Sequence, residues 1–462
     1  MTQIQAEQAP SGVRQFPQGF RWGVATAAYQ IEGATDADGR TPSIWDTFAG
    51  TPGRVFGGHT GAVACDHYRR YPADVALMRD LGIGSYRFSV SWPRVLPGDG
   101  GVNARGLDFY DRLVDELVAA GIHPMVTLYH WDLPQSLEDR GGWTSRATAE
   151  RFVDLAAAVH DRLGDRVRTW TTHNEPWCSS FLGYASGDHA PGRRDPAAAF
   201  TAVHHLLVAH GLAAAALRSA GAAELSYTTI VTSVTTPDPD DEADAAAVRL
   251  VDGLHNRLFL DPVLLGRYPA DLVDLMARHV APGTIRDGDE ALIGATPIDL
   301  LGLNYYQPTL VRARPDGVAN PQFPGTEGVE FLRADLPRTH MDWPVDAGAL
   351  RDALVRVSRD YPGVPMMITE NGAAYEDRVE DGRVADVERI EYLRTHLEAA
   401  HEAILAGADL RGYLAWSLLD NFEWAYGYDK RFGLVHVDYR TQERLPKDSA
   451  AWYRAVMASN SV

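Results

Sequence analysis

Cysteine is almost missing: Cys65 and Cys178 are the only two in 462 residues. Two thiols supply neither a disulfide framework nor a metal-ligand cluster, and both read as small packing residues near loops. Excess positive charge is missing too, since 43 Lys and Arg face 62 Asp and Glu for a net charge of −19. That balance argues against nucleic acid or an anionic membrane surface as partner, and its plain consequence is solubility. No run approaches the roughly 18 apolar residues of a membrane span. The opening M-T-Q-I-Q-A-E-Q-A-P-S-G has neither the basic start nor the apolar core of a secretory leader, so a cytoplasmic protein is the expectation. No G-x-G-x-x-G or P-loop opens a helical pattern, which leaves a nucleotide cofactor without support. His204, His205 and His210 lie in a helical stretch without an H-E-x-x-H spacing or a Cys or Asp cluster, and read as helix residues rather than metal ligands.

What the chain does have is a regular alternation. Short apolar runs at 20–28, 83–90, 122–129, 167–176, 224–233, 298–305, 365–369 and 410–418 read as eight strands, and helical patterns lie between them. Val75, Met78 and Leu81 recur at helical spacing before Gly82. Leu107, Tyr110, Val114, Leu117 and Val118 form a second stripe, with Asn103 as N-cap and Gly121 as stop. Phe152, Leu155, Val159 and Leu163 mark a third helix, an Ala-rich helix covers 196–220, and Ile390, Leu393, Leu397 and Ile404 mark the last. Eight strand–helix units predict a closed (β/α)8 TIM barrel rather than an open doubly wound sheet. Residues 16–462 are expected to form one such domain and residues 1–15 a flexible tail. The segments after the first, fourth and sixth strands are long, and on a barrel they would wall a pocket over the strand C-termini.

Two strands end in a carboxylate. V-R-T-W-T-T-H-N-E-P delivers Glu175 and P-M-M-I-T-E-N-G delivers Glu370, each beside an Asn. A lone Glu is ordinarily a solvated charge or half of an ion pair; two at strand ends of one parallel scaffold suit paired-carboxylate chemistry. Gln30, Arg87, His130, Trp131, Asn174, Asn304, Tyr306, Trp416, Glu423 and Trp424 accumulate at the other predicted strand ends. Hydrogen-bonding groups with Trp platforms fit a sugar, which has hydroxyl edges and C–H faces. His130 is read as a hydroxyl-binding group and His173 as lining the pocket or standing just behind it.

The order of motifs resembles the β-glucosidases of family one of the glycoside hydrolases, over essentially the whole length. The resemblance rests on F-R-W-G-V-A-T-A-A-Y-Q-I-E-G-A from Phe20, Y-R-F-S-V-S-W-P-R from Tyr86 and Y-H-W-D-L-P from Tyr129. It continues through N-E-P from Asn174, N-Y-Y from Asn304, T-E-N-G from Thr369 and W-S-L-L-D-N-F-E-W from Trp416. It implies a (β/α)8 fold and hydrolysis of small-molecule or oligosaccharide β-glycosides with no metal or organic cofactor. Glu175 would be acid/base and Glu370 nucleophile, with Arg87 and Tyr306 supporting the ionised Glu370. Gln30, His130, Asn174, Glu423 and Trp424 would contact the glycone, Trp416 would lie under the sugar, and Trp343 would stand on the aglycone side. Members acting on phosphorylated sugars carry Ser and a basic residue where this chain has Glu423. His173 is a departure, since many members have an apolar residue there.

Overall fold

The structure, a computed structural model, describes residues 13–98 and 100–462. Eight parallel strands close into a barrel: β1 (Arg21–Ala25), β2 (Ser85–Ser89), β3 (His123–Tyr129), β4 (Thr169–Asn174), β5 (Glu224–Ile230), β6 (Leu300–Asn304), β7 (Met366–Asn371) and β8 (Leu410–Trp416). Each occupies one of the eight predicted runs. Neighbours in the barrel are neighbours in sequence, and β8 closes on β1 with Ala25 opposite Trp416. Every residue of β2, β4, β6 and β7 is buried, because the helices cover the outer face and side chains fill the interior. β7 accordingly opens on consecutive apolar residues, Met366, Met367 and Ile368, whereas β2 still alternates, with Ser85, Arg87 and Ser89 buried alongside Tyr86 and Phe88. The run at 365–369 understated β7, which continues through Glu370 and Asn371.

The helices that follow these strands in turn are α1 (His67–Asp80), α2 (Ala104–Ala119), α3 (Arg146–Leu163), α4 (Pro196–Ser219), α5 (Glu242–Asp252), α6 (Ala347–Asp360), α7 (Val387–Leu405) and α8 (Asp448–Ser459). α1 stops where Gly82 takes φ +72°, a left-handed value that an L side chain rarely adopts. α2 departs from expectation in two details. Asn103 stands at the N-cap, but its amide donates to the carbonyls of Asp38 and Arg94 and does not cap the helix. Val118 is 46% exposed, one position outside the buried stripe of Leu107, Tyr110, Val114 and Leu117. α4 begins with Pro196 after Asp195, whose carboxylate accepts from the backbone of Ala197 and Ala198. Its length and apolar composition would let it cross a bilayer, which the reading of the apolar runs overlooked; 78% of that stretch is buried inside the fold.

Four long connections rise from the strand C-termini, after β1, β4, β6 and β8, and the last of these was not foreseen. The connection after β6 forms a small sheet in which Thr309–Ala313 pairs with Val234–Thr235 and Val329–Leu332. The one after β8 is pinned by ionic contacts among buried groups: the ammonium of Lys447 meets Asp377 and lies 2.7 Å from Asp420, which also takes Arg431 at 2.7 Å. Buried charges persist only when paired this way. Residues 1–12 of the expected tail lie outside the described residues; from there the chain is tied down, with Arg14 N donating to Val462 O and Phe16 N to Asn460 O.

Candidate active site

The ladder slips at the two strand ends that bear glutamate. β4 shifts register against β5 between Thr171 and Asn174, and β7 against β6 between Ile368 and Glu370. Such irregularities re-aim the side chains that follow. Glu175 itself has φ +45°, and two other residues beside it, Trp131 and Trp424, have +75° and +48°. These are uncommon values for residues with a Cβ, and they gather where surrounding structure over-determines them.

A cavity of ≈ 690 Å³ opens here, lined by His130, Trp131, Glu175, Tyr306, Trp343, Glu370, Trp416, Glu423 and Trp424 among others. Gln30, Arg87, Asn174 and Asn304 are buried one layer behind that wall. Asn304, expected to touch substrate, has its amide wholly committed. Its Nδ2 donates to Asn174 Oδ1 at 3.0 Å and Glu175 Oε1 at 2.6 Å, and its Oδ1 accepts from Thr369 at 2.7 Å. It aligns Glu175 instead. His173 points the other way, as strand alternation demands once Asn174 faces inward. Its ring lies on Phe152, Nε2 bonds the Leu206 carbonyl at 2.9 Å, and burial holds it neutral, down to about 3. The expectation that it lines or adjoins the pocket is corrected: it packs outward, against Tyr129 of β3 and the helical segments around the barrel.

The two carboxylates have unlike partners. Glu370 Oε1 accepts from Arg87 Nη1 at 2.6 Å and Oε2 from the Tyr306 hydroxyl at 2.7 Å. Glu175 accepts from the neutral Asn304 amide and, at 3.1 Å, from the Cys178 thiol. Burial raises both acids. For Glu175 the charge of Glu370 adds to it, reaching about 8; for Glu370 the Arg87 guanidinium and the Tyr306 hydroxyl pull back down. Desolvation and a like charge favour a neutral carboxyl, whereas a cation and hydrogen-bond donors favour a carboxylate. The surroundings therefore favour the neutral form at Glu175 and oppose it at Glu370.

The hydrogen-bond chain also fixes a tautomer. Asn174 Oδ1 accepts from Arg87 Nη2 at 2.6 Å, so its Nδ2 is the atom that faces His130 Nε2 at 3.0 Å. His130, pushed far below its usual range by burial and by Arg87, is neutral and must accept at Nε2. Its Nδ1 then carries the hydrogen, with no partner among the described residues. Gln30 is in the same condition. Its Nε2 is taken by Asn421 and the Phe422 carbonyl, and its Oε1 is buried without a partner. Glu423 stands next to it, raised to about 8 by burial and by the charges of Glu370 and Glu175. Trp416 and Trp424 pack against His130 with ring centroids 5.9 Å apart in both cases. Trp343 leans on Tyr306 at 5.3 Å toward the outer part of the cavity.

Several lining residues were not read as such in the sequence: Trp177, Cys178, which was taken for a packing residue, His189, His255, Phe323 and Phe432. The first two directly follow N-E-P and could have been flagged by adjacency to Glu175. The others carry no local signal. His204, His205 and His210 bond Tyr268 and Asp289, the Trp143 carbonyl, and Thr172 respectively, as helix residues.

A family model described as "Glycosyl hydrolase family 1" matches residues 13–462. The thermostable beta-glucosidase B of Thermobispora bispora is 55% identical over 454 residues, 98% of this chain and 92% of its own. A bifunctional beta-D-glucosidase/beta-D-fucosidase of Bifidobacterium breve is 50% identical over 96% of this chain and 99% of its own. Among solved structures, the psychrophilic beta-glucosidase BglU of Micrococcus antarcticus superposes with a TM-score of 0.93 at 51% identity, covering 96% of this chain and 98% of that one. The beta-glucosidase of Thermotoga maritima in complex with glucoimidazole does so with a TM-score of 0.92 at 44% identity, over 97% and 100%.

Proposed function

Given that this chain belongs to glycosyl hydrolase family 1, we propose that it is a β-glucosidase that removes terminal non-reducing β-D-glucosyl residues by double displacement, with Glu370 as nucleophile and Glu175 as acid/base. The observation that carries the assignment is the asymmetry of partners. A group held by a guanidinium and a phenol is poised as an anion; a group held by an amide and a thiol, next to that anion, keeps its proton.

Glu370 attacks the anomeric carbon while Glu175 protonates the departing glycosidic oxygen, which forms a glycosyl ester on Glu370 and frees the aglycone. Esterification removes the Glu370 charge, so Glu175 ionises more readily and then takes a proton from the water that cleaves the ester. The His130 Nδ1–H, Gln30 Oε1 and Glu423 offer donor and acceptor atoms to glucose hydroxyls over the Trp416 and Trp424 faces. Asn174, held by Arg87, Asn304 and His130, has a second Nδ2 hydrogen to offer the sugar 2-hydroxyl.

Azide tests the two roles separately. In Glu370→Ala, hydrolysis of an aryl β-glucoside is lost, and azide occupying the vacated place should invert once to give the α-glycosyl azide. In Glu175→Ala, a good leaving group still departs, the intermediate accumulates, and azide attacking it should give the β-azide after two inversions. Proton NMR reads the anomeric configuration. The opposite pattern would reverse the roles, and rescue of neither variant would remove the assignment.

A further inference from the structure

The barrel has a second opening, at the end where its strands begin. A cavity of ≈ 700 Å³ lies there, lined by Arg21, Ser85, His123, Thr169 and Glu224, which are the first residues of β1, β2, β3, β4 and β5 in turn. Arg168, just before β4, and Asp299, just before β6, complete its charged wall. The N-terminal end of a barrel ordinarily serves stability alone, and part of this one does. Glu224 accepts from Arg21 at 2.7 and 3.2 Å and from the Thr169 hydroxyl at 2.6 Å; Asp299 accepts from Arg218 at 2.7 Å and from Leu225 N at 2.8 Å. Both acids are thereby satisfied.

Three other groups in the wall are not. The Arg168 guanidinium is exposed and has no hydrogen-bond or ion-pair partner among the described residues. The hydroxyl of Ser85, a residue only 4% exposed, has none there either. Ser85 and His123 are register partners on neighbouring strands. At His123 the hydrogen bonds fix the tautomer: the Thr169 hydroxyl gives its hydrogen to Glu224, so it accepts from His123 Nε2–H at 3.0 Å and leaves Nδ1 as an open lone pair. Burial first, then Arg21 and Arg168, hold His123 below its usual range, with Glu224 pulling the other way, so the ring is neutral.

We propose that this mouth binds a small tetrahedral oxyanion, of the sulfate or phosphate kind, through Arg168, His123 and Ser85. The site lies at the opposite end of the barrel from Glu175 and Glu370 and owes nothing to the β-glucosidase reading, so either can fail alone. With Arg21 and Arg218 cancelling Glu224 and Asp299, the charge left over in the wall is the Arg168 guanidinium, whose planar fork suits two oxygens of such an anion. A neutral ligand would leave that charge unanswered, and a cation would be repelled by it. The Ser85 hydroxyl can donate to a third oxygen. A dianion beside His123 favours the imidazolium, whose Nδ1–H then donates to the ligand while Nε2–H keeps its bond to Thr169. The anion therefore binds with uptake of a proton, and more tightly as pH falls. A ligand that joins the starts of β2, β3 and β4 exists only on the folded barrel and stabilises it.

The test follows the His123 ring by long-range proton–nitrogen NMR, its resonance identified by loss in His123→Gln, in sodium sulfate and in sodium chloride of equal ionic strength. Sulfate keeps its charge throughout the range in which histidine titrates. It should raise the His123 pKa by about one unit in wild type. Arg168→Gln should bind sulfate about tenfold more weakly and abolish that rise. The substitution alters an exposed side chain without partners, so folding and hydrolysis of an aryl β-glucoside should match wild type. An equal His123 pKa in the two salts, or an equal rise in Arg168→Gln, would overturn the proposal. Displacement of sulfate by inorganic phosphate at lower concentration than by glycerol phosphate would assign the site to the free ion, and the reverse order to a phosphate ester; displacement by neither would overturn a tetrahedral-anion site.

Discussion

Replacing Glu370 by Gln should lower the pKa of Glu175 by about two units without bringing it to the ordinary value. Two causes hold Glu175 near 8: burial first, the charge of Glu370 second. The substitution keeps the shape and removes only the second. Paired carboxyls of retaining glycosidases are about 5.5 Å apart, and at an effective dielectric of about 20 two unit charges at that distance interact by roughly 3 kcal/mol, or about two pKa units. Glu175 should therefore titrate near 6 in Glu370→Gln, still above the usual 4.5 because its surroundings remain dry. Carbon-13 NMR of protein labelled at the glutamate carboxyl, compared with Glu370→Gln/Glu175→Gln to isolate one resonance, follows the titration directly. A pKa that stays near 8 would mean the neighbouring charge plays no part. A fall to about 4.5 would mean burial plays none. The same value sets the wild-type pH profile. An acid must be protonated to act, so kcat/KM should be sustained below about 8 and decline as pH rises through it.

Three further expectations follow from named contacts. Tyr306→Phe removes one of the two donors to Glu370 and should lower kcat/KM roughly ten- to a hundredfold and move the acid limb of the pH profile upward, with little change in thermal midpoint; an unmoved acid limb would contradict it. Glu423 offers a 6-phosphate no cation, and as it ionises near 8 it would repel one, so a higher kcat/KM for glucoside 6-phosphate than for the unphosphorylated glucoside would refute its role in glycone binding. Glu175→Gln should gain stability relative to wild type as pH rises: the folded pKa lies above the unfolded one, so wild-type stability declines between about 4.5 and 8, by a few kcal/mol in all. Urea midpoints of both proteins at pH 5 and pH 9 measure it, and equal differences at the two pH values would count against the raised pKa.

The barrel was readable from sequence because strands buried on both faces draw on apolar, β-branched and aromatic residues, and eight such runs recur between helical stripes. Glu175 and Glu370 stood out as charges ending those runs. Orientation within a strand end was less readable. His173 and Asn174 are adjacent and equally polar, and only the neighbour each meets, Leu206 O for one and Arg87 for the other, shows which faces inward. Asn304 looked like a sugar ligand because its type suits one; its three hydrogen bonds are all to groups distant in sequence. The sheet formed by Thr309–Ala313 and its partners hid inside a long Gly- and Pro-rich connection, where pairing with Val234–Thr235 leaves no local trace. His255 gave no signal, since one histidine in an apolar stretch is most often a satisfied core residue.

The left-handed backbone at Trp131, Glu175 and Trp424 sets this enzyme's response to breeding for heat tolerance. Each such residue costs of order 1–3 kcal/mol, so the three together amount to roughly 3–9 kcal/mol, comparable with the whole stability of many domains. Glycine at any of them would relieve the backbone while deleting a side chain the pocket needs. At Trp131 and Trp424 that side chain is a buried ring, Trp131 packed on His189, Trp424 on Trp45 and the two on each other, and losing it costs about 3–5 kcal/mol, more than the backbone returns. Glu175, a buried carboxyl as well as a strained residue, is therefore the position at which a library ranked only by survival at high temperature would trade turnover for sturdiness.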